Sequence, residues 1–294
     1  MGWATSRYRR WKPHVLAIVV AVYWSPANVA GAEVSRPAED TRVAVSLPHV
    51  SPCLAGCPVV SSNGNRVVVG ENLVFSNNRQ TKFPDWVAYI VAPRLFGPTR
   101  GRVWRADPRL PENETLEPED YRGAYAAIGV DRGHLAPLAS FAGASQWRVT
   151  NYLSNVTPQR SALNRGPWAR LEAAVRRLAR DLGTRPVHIL AGPLYERKMR
   201  PLPNADETHV VPSGYWKVVA IGAPDGVGAA IAFVMDQDLP RSADFCDVAY
   251  RIGLHDLELR TGIDLFRDLG APSLAEIQAR SAGLAERLGC EERP

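Results

Sequence analysis

The segment Val130-Asp-Arg-Gly-His134 is the most informative stretch of this chain. After Val130 it brings an acid, a cation, a flexible backbone position and an imidazole together in consecutive residues. Alone, this pattern is more typical of a turn with a hydrogen-bonded histidine than of a reactive site. Two downstream segments favour a reactive site, because they add amide and carboxylate side chains: Ser154-Asn-Val-Thr-Pro-Gln159, and Leu163-Asn-Arg-Gly-Pro-Trp168 with Leu171-Glu172.

Around these segments, the periodicity of the sequence predicts many short strands and few helices. Leu171, Val175, Leu178 and Leu182 recur at helical spacing as one apolar stripe, and Gly183 is a stop signal. Strands are predicted at 66–69, 72–75, 86–91, 188–191, 215–221 and 229–235, a long loop at 93–120, and further helices at 244–260 and 273–288. Since the strands do not alternate regularly with helices, we expect an α+β fold with a mainly antiparallel central sheet flanked by helices.

The first 32 residues have the pattern of a secretory signal peptide. A basic segment precedes the apolar run 14–24 and small residues follow it; these are Arg7, Arg9, Arg10, Lys12 and Ala30-Gly-Ala32. The run is too short for a spanning helix, and an uncleaved membrane anchor is the alternative. We therefore expect cleavage near Ala32, export to the extracellular space or periplasm, and no stable membrane association afterwards. An extended arm is predicted at 33–50 and a single domain at 51–294, because no break in composition marks an internal boundary.

Composition and charge exclude a disordered chain but identify no partner. Hydrophobic residues make up 46% and charged residues 22%, which is typical of globular proteins. The net charge is +5, but four basic residues and no acidic ones lie in the predicted signal peptide, so the mature chain is nearly neutral. Arginines cluster at 94–109 and 160–180. These clusters form either a local surface for phosphate groups or solvated faces balanced by nearby acids.

The cysteines are Cys53, Cys57, Cys246 and Cys290. An even number of cysteines in an exported protein predicts disulfides. Three pairings are open, and the short spacing of the first two cysteines favours Cys53–Cys57, which leaves Cys246–Cys290. A zinc site is the alternative, but it would need C-x2-C pairs or neighbouring histidines, which this sequence lacks.

Common hydrolase signatures such as G-x-S-x-G, H-E-x-x-H and the P-loop are absent from the sequence. The order Asp-Arg-Gly-His, Asn-x-x-Pro-Gln and Asn-x-Gly-x-Trp-x-x-Leu-Glu instead resembles the signature of the DNA/RNA non-specific endonucleases. The resemblance covers residues 50–290, through Lys82-Phe-x-x-Trp86, Gly192-Pro-Leu-Tyr-Glu196, Tyr215-Trp-Lys-Val218 and both cysteine pairs, which look like the family's disulfides. It implies a ββα-metal (His-Me finger) nuclease fold and a secreted enzyme that cuts DNA and RNA with little sequence preference, leaving 5′-phosphate ends.

The resemblance also implies roles for individual residues. His134 resembles the general base, a role that suits an imidazole because its pKa lies near working pH. Asn164 resembles the single direct protein ligand of one Mg²⁺ ion per active site, with Mn²⁺ as the expected substitute. Glu172 resembles a carboxylate that orients metal-bound waters. Asn155 is expected to lie near the metal and to assist.

The remaining implied site residues are charged. Arg102 and Arg176 match positions at which the family contacts the scissile phosphate. Arg132 is expected to position the phosphate or metal-bound waters. Asp131 is expected to brace the site.

Each role has a structural alternative. Glu172 and Arg176 are spaced for a helix-surface ion pair. Arg102 would then be an ordinary loop arginine, Asn155 would cap a turn, and Asp131 would pair with its neighbouring arginine. For the whole chain, the alternative is a catalytically silent nucleic-acid-binding module with the same fold. A homodimer also stays open, because sequence periodicity does not reveal an interface.

Overall fold

A seven-stranded antiparallel sheet forms the centre of the structure, a computed structural model that describes residues 50–60, 64–223, 226–270 and 273–290. The predicted signal peptide and the predicted arm up to residue 49 lie outside the described residues. The described residues belong to one compact unit. The domain limits 51–294 stay a prediction.

The strands are β1 (Val59–Val60), β2 (Arg66–Val69), β3 (Leu73–Asn78), β4 (Phe83–Val91), β5 (Val130–His134), β6 (Val156–Arg160), β7 (Val187–Leu194), β8 (Gly214–Ala223), β9 (Gly226–Asp236), β10 (Arg251–Ile252) and β11 (Ile263–Asp264). The central sheet has the order β10-β9-β8-β7-β4-β3-β2. Two small antiparallel pairs, β1–β11 and β5–β6, lie outside it. The expected mainly antiparallel architecture is confirmed.

The helices are α1 (Ala124–Ile128), α2 (Ser161–Leu163), α3 (Ala169–Leu182), α4 (Leu254–Thr261), α5 (Leu274–Ala279) and α6 (Ser281–Arg287). A π-helical turn, Asn164–Trp168, joins α2 to α3. Short 3-10 turns lie at Pro93–Leu95, Glu112–Glu114, Leu138–Ser140, Trp147–Asn151, Leu153–Asn155 and Val248–Tyr250.

Both faces of the central sheet are buried. Along β4, Val87 and Tyr89 belong to one apolar cluster, and the alternating residues Trp86 and Ala88 belong to another. This follows from the two-residue period of a strand, which points successive side chains to opposite faces. Helix α3 covers the first face with the predicted apolar stripe, and Leu254 and Leu257 of α4 pack in the second cluster.

The predicted strand at 86–91 is longer in the structure, because β4 begins at Phe83 and includes Pro84. The pairing of β4 with β3 shifts register between Ser76 and Asn77, and Asn77 is the residue that pairs with Pro84. Proline provides no N–H for a ladder, so an irregular position of the sheet tolerates it.

The predicted helix at 244–260 is wrong in its first half. A 3-10 turn and the two-residue strand β10 occupy 248–252, and α4 begins only at Leu254. The reason is a tertiary one, since Arg251 and Ile252 pair with Phe233 and Ala232 at the edge of the sheet. The predicted helix at 273–288 is interrupted near Arg280, so α5 and α6 are separate helices.

The two disulfides join Cys53 to Cys57 and Cys246 to Cys290. This confirms the expected pairing, and no described cysteine is free. The second disulfide ties the C-terminal end of the described chain to the segment before β10.

Candidate active site

All but one of the predicted site residues line a single open cavity of about 630 Å³. They are Arg102, Asp131, Arg132, His134, Asn164, Glu172 and Arg176. Strand β5, the π-helical turn, helix α3 and the loop before α1 contribute these side chains. Residues that are far apart in sequence thus surround one space.

The hairpin β5–β6 and the following helix set the positions of the catalytic candidates. His134 pairs with Val156, and the strand β6 leads directly into α2. The helical run then bends at Gly166, whose backbone angles are φ −111° and ψ −118°. A Cβ atom at this position would lie 2.7 Å from the carbonyl oxygen of Arg241, so the close approach requires glycine. Asn164 lies before this bend, and helix α3 begins after it.

Hydrogen bonds select one tautomer of His134. Its Nε2 lies 3.2 Å from Oδ1 of Asn151, and Nδ2 of Asn151 donates to the carbonyl oxygen of Gly101 at 3.3 Å. Because that carbonyl can only accept, Oδ1 of the amide is the atom that faces the imidazole, and Nε2 carries the proton. The other ring nitrogen, Nδ1, is then an unprotonated acceptor, as a general base requires.

Burial keeps the imidazole of His134 neutral. It lowers the pKa of His134 to about 4, the hydrogen bond that the imidazole donates to Asn151 opposes this shift, and the positive charge of Arg102 adds to it. The ring of Trp104 lies 5.1 Å from the imidazole, centroid to centroid, and forms part of the apolar surroundings. The imidazole is therefore uncharged throughout the neutral pH range, with the lone pair of Nδ1 available, and it is a weaker base than an exposed histidine.

Asp131 orients Asn164. Nδ2 of Asn164 donates to Oδ2 of Asp131 at 2.9 Å, which leaves the amide oxygen Oδ1 as the remaining acceptor. Arg165 forms two further hydrogen bonds to the same carboxylate, at 2.8 and 2.6 Å. Burial opposes ionisation of Asp131, but these hydrogen bonds outweigh it and lower its pKa. Asp131 thus pairs with Arg165, not with Arg132.

Glu172 forms its ion pair across the core, not along the helix surface. Its Oε1 lies 3.6 Å from Nζ of Lys217, a fully buried lysine on β8. Nζ also lies 4.0 Å from the centroid of the Trp168 ring and 3.4 Å from the hydroxyl of Tyr89. Burial raises the pKa of Glu172 and lowers that of Lys217 to about 8, while the opposite charges limit both shifts. The pair holds a carboxylate at the wall of the cavity.

Two arginines of the cavity wall keep buried N–H donors without a partner in the described structure. These donors are Nε of Arg132 and Nη1 of Arg176. Arg132 is held in place by a 2.7 Å hydrogen bond to the carbonyl oxygen of Pro118 and by the Tyr121 ring, 5.3 Å from its guanidinium carbon. Unpaired buried donors are costly, so these two arginines suit a cavity that binds an anion.

Asn155 is the predicted site residue that does not line the cavity. It is completely buried, its oxygen accepts from the N–H of Ala136, and its nitrogen donates to the carbonyls of Ala136 and Thr150, each at 2.9 Å. The side chain therefore braces the backbone that follows His134. Asn155 thus lies apart from the residues that line the cavity, and its expected assistance at the metal stays a prediction.

Four contributing residues were not predicted. Lys217 lies in a segment that carries the family resemblance and Asn151 does not, but neither role could be predicted, because both residues reach His134 and Glu172 through tertiary contacts. Tyr125 and Arg165 lie beside the motif residues, but side-chain packing places them in the cavity lining.

Four acidic side chains form a separate cluster outside the lining of this cavity. Glu117, Asp120, Asp206 and Glu207 place one carboxylate oxygen each within 4.8 Å of one another. Burial and the charges of Glu207 and Asp120 raise the pKa of Glu117 to about 7. Because the folded chain holds this proton more tightly than the unfolded chain, the cluster favours the folded state at low pH and opposes it as the pH rises through about 7.

We expect Glu117→Gln to raise the melting temperature at about pH 8.5 more than at about pH 5, because the substitution removes repulsion that exists only when Glu117 is ionised. Thermal unfolding followed by circular dichroism in EDTA measures this. Glu112→Gln, at an exposed position of a short turn, is the matched control. Equal shifts at both pH values would contradict the prediction.

Within the described ranges, no helix has the length and apolar character needed to cross a membrane.

Known proteins resemble this chain in sequence and in fold. Residues 57–271 match the family model described as DNA/RNA non-specific endonuclease. The chain is 42% identical over 246 residues to a nuclease of Serratia marcescens, covering 84% of this chain and 91% of that protein. A nuclease of Nostoc sp. is 26% identical over 232 residues, covering 76% of this chain and 81% of that protein.

The solved structure of an EndoG/EndoGI complex matches with a TM-score of 0.58 and 23% identity, covering 69% of this chain and 86% of that chain. This likeness confirms the ββα-metal fold, in which a two-stranded hairpin precedes a helix, as β5, β6 and α3 do here. The match to the family model and the Serratia marcescens nuclease confirm the resemblance in the sequence. The chain belongs to the family of DNA/RNA non-specific endonucleases, enzymes that hydrolyse phosphodiester bonds.

Proposed function

We propose that this chain is an exported, Mg²⁺-dependent endonuclease that hydrolyses DNA and RNA with little sequence preference and leaves 5′-phosphate ends. The observation that carries the proposal is the pairing, in one cavity, of an imidazole whose Nδ1 is free to accept a proton with two buried guanidinium donors without partners. A base beside an anion site is what water attack on a phosphodiester requires.

In this proposal His134 takes a proton at Nδ1 from the attacking water. Asn151 keeps the proton of the neutral ring on Nε2, so Nδ1 retains its lone pair. After proton transfer the ring is cationic, and the Oδ1 acceptor of Asn151 stabilises the charged form.

Arg132 and Arg176 bind the scissile phosphate through their unpaired donors, and Arg102 adds a positive charge at the exposed edge of the cavity. Such charge-assisted hydrogen bonds strengthen as negative charge builds up on the phosphate. They also contact the backbone of the nucleic acid, which carries no direct sequence information. This supports cleavage of both DNA and RNA with little sequence preference.

The residues present fit a single Mg²⁺ site. Asn164 offers an amide oxygen oriented by Asp131, and Glu172 offers a carboxylate in the same cavity. All of these donors are oxygen atoms, which Mg²⁺ prefers, and one direct ligand is compatible with an ion that keeps several waters. Asn164 would hold the ion directly and Glu172 would hold it through water. When bound, the ion supplies positive charge that stabilises the pentacovalent phosphate and the departing 3′ oxygen.

Two disulfides and the signal-peptide pattern support export. Nucleic acids are the proposed partners. A homodimer and the absence of stable membrane association after cleavage stay predictions from the sequence.

A nicking assay tests the proposed function. Purified protein incubated with supercoiled plasmid or with RNA should cut both in Mg²⁺ and neither in EDTA, and Mn²⁺ should restore cutting. The DNA products should ligate without prior phosphorylation, as 5′-phosphate ends do. Binding of both nucleic acids without cleavage in Mg²⁺ or Mn²⁺ would favour the catalytically silent binding module instead.

A further inference from the structure

Tyr125 is an exposed aromatic side chain at the cavity. Its exposed fraction is 62%, and the other exposed large hydrophobic residues among the described ones are aliphatic. It projects from the short helix α1, between Gly123 and Gly129, and lines the same cavity as His134 and Asn164. Exposed aromatic surface beside a reactive centre is costly to hydrate and suits a planar ligand.

Arg165 supports the ring of Tyr125. Its guanidinium carbon lies 5.4 Å from the ring centroid, a cation–π contact. Two hydrogen bonds to Asp131 fix this guanidinium, and Asp131 also orients Asn164. The aromatic ring is therefore connected, through Arg165 and Asp131, to the proposed metal ligand Asn164.

We propose that Tyr125, supported by Arg165, is a stacking subsite for the nucleobase of a nucleotide next to the scissile phosphate. The inference rests on the proposed function and adds a contact to a base, whereas Arg132, Arg176 and Arg102 contact phosphate. Stacking accepts every base, since each has a π face, so the subsite is consistent with low sequence preference. A base that stacks on Tyr125 must leave its own stack, and unpaired strands supply such bases at least cost.

The test uses direct binding in EDTA, where no cleavage occurs. Fluorescence anisotropy measures the Kd of a short labelled single-stranded DNA and of an abasic strand with the same number of phosphates. We expect Tyr125→Ala to raise the Kd of the base-containing strand about fivefold or more and to leave the Kd of the abasic strand unchanged. Tyr125→Phe should retain the wild-type Kd for both strands.

Tyr250→Ala, a half-buried aromatic that does not line this cavity, is the matched control and should bind as wild type does. Thermal melting of each variant checks the fold. Equal Kd values of wild type and Tyr125→Ala for the base-containing strand, or an equal loss for both strands, would refute the stacking subsite. If wild-type protein binds neither strand, the proposed function fails, and the subsite fails with it.

Discussion

His134→Ala should lose activity by about 10²–10⁴-fold, because a positioned general base typically contributes that factor, or roughly 3–5 kcal/mol of the barrier. We attribute the expected loss of activity to proton transfer, because Nδ1 is the ring nitrogen that is free to accept a proton. Initial rates of plasmid cleavage in saturating Mg²⁺ measure it.

The histidine variant should retain its fold and its affinity for DNA. Circular dichroism and the Kd of the single-stranded probe in EDTA check both. His255→Ala, an exposed histidine on α4, is the matched control and should cut at the wild-type rate. Wild-type activity in His134→Ala would remove this residue from the mechanism.

Asn164→Ala should weaken metal binding. If Asn164 is the single direct protein ligand, its loss should raise the Mg²⁺ concentration for half-maximal rate by at least about tenfold, since even changes in the outer shell of a metal site typically cost 10–100-fold. The maximal rate should fall as well. A Mg²⁺ titration of the cleavage rate gives both values, and isothermal titration calorimetry without substrate measures binding of the ion alone.

Asn113→Ala, at an exposed position in a short turn, is the control for an asparagine outside the site. Asn164→Asp keeps an oxygen ligand but loses the N–H that reaches Asp131 and places two carboxylates side by side. It should therefore bind Mg²⁺ better than the alanine variant. An unchanged half-saturation point and rate in Asn164→Ala would exclude Asn164 as the ligand.

Most of the cavity residues that could be predicted from sequence belong to one supersecondary unit; Arg102, on the loop before α1, was predicted from the family resemblance. Asp131, Arg132 and His134 share strand β5, and Asn164 and Glu172 follow on the next helical run, so their order along the chain carries the information. Asn155 belongs to the same pattern, yet its amide bonds to backbone groups. The orientation of a side chain depends on packing, which a motif does not encode.

Long-range contacts limited the prediction elsewhere. Lys217 was expected to lie in a strand. Its ion pair with Glu172 could not be predicted, because the sequence does not reveal which helix covers that strand. Helix α3 was predicted because all residues of its apolar stripe lie within the helix at helical spacing, so no distant contact is needed to recognise it. The strand at residues 251–252 was not predicted, because its pairing with β9 competes with helical propensity.

One irregular segment, residues 101–105, contributes to the site in two ways. Arg102 and Trp104 line the cavity, while Gly101 supplies the carbonyl that orients Asn151 and hence the imidazole. Backbone hydrogen bonds between Arg105 and the segment 151–153 hold residues 101–105 beside the cavity. Exposed loops usually tolerate insertions, but we expect a single residue added within 101–105 to displace both the guanidinium of Arg102 and the backbone carbonyl that supports His134 through Asn151. Length variation in evolution or engineering should therefore spare this pentapeptide and accumulate in the loop on either side of it.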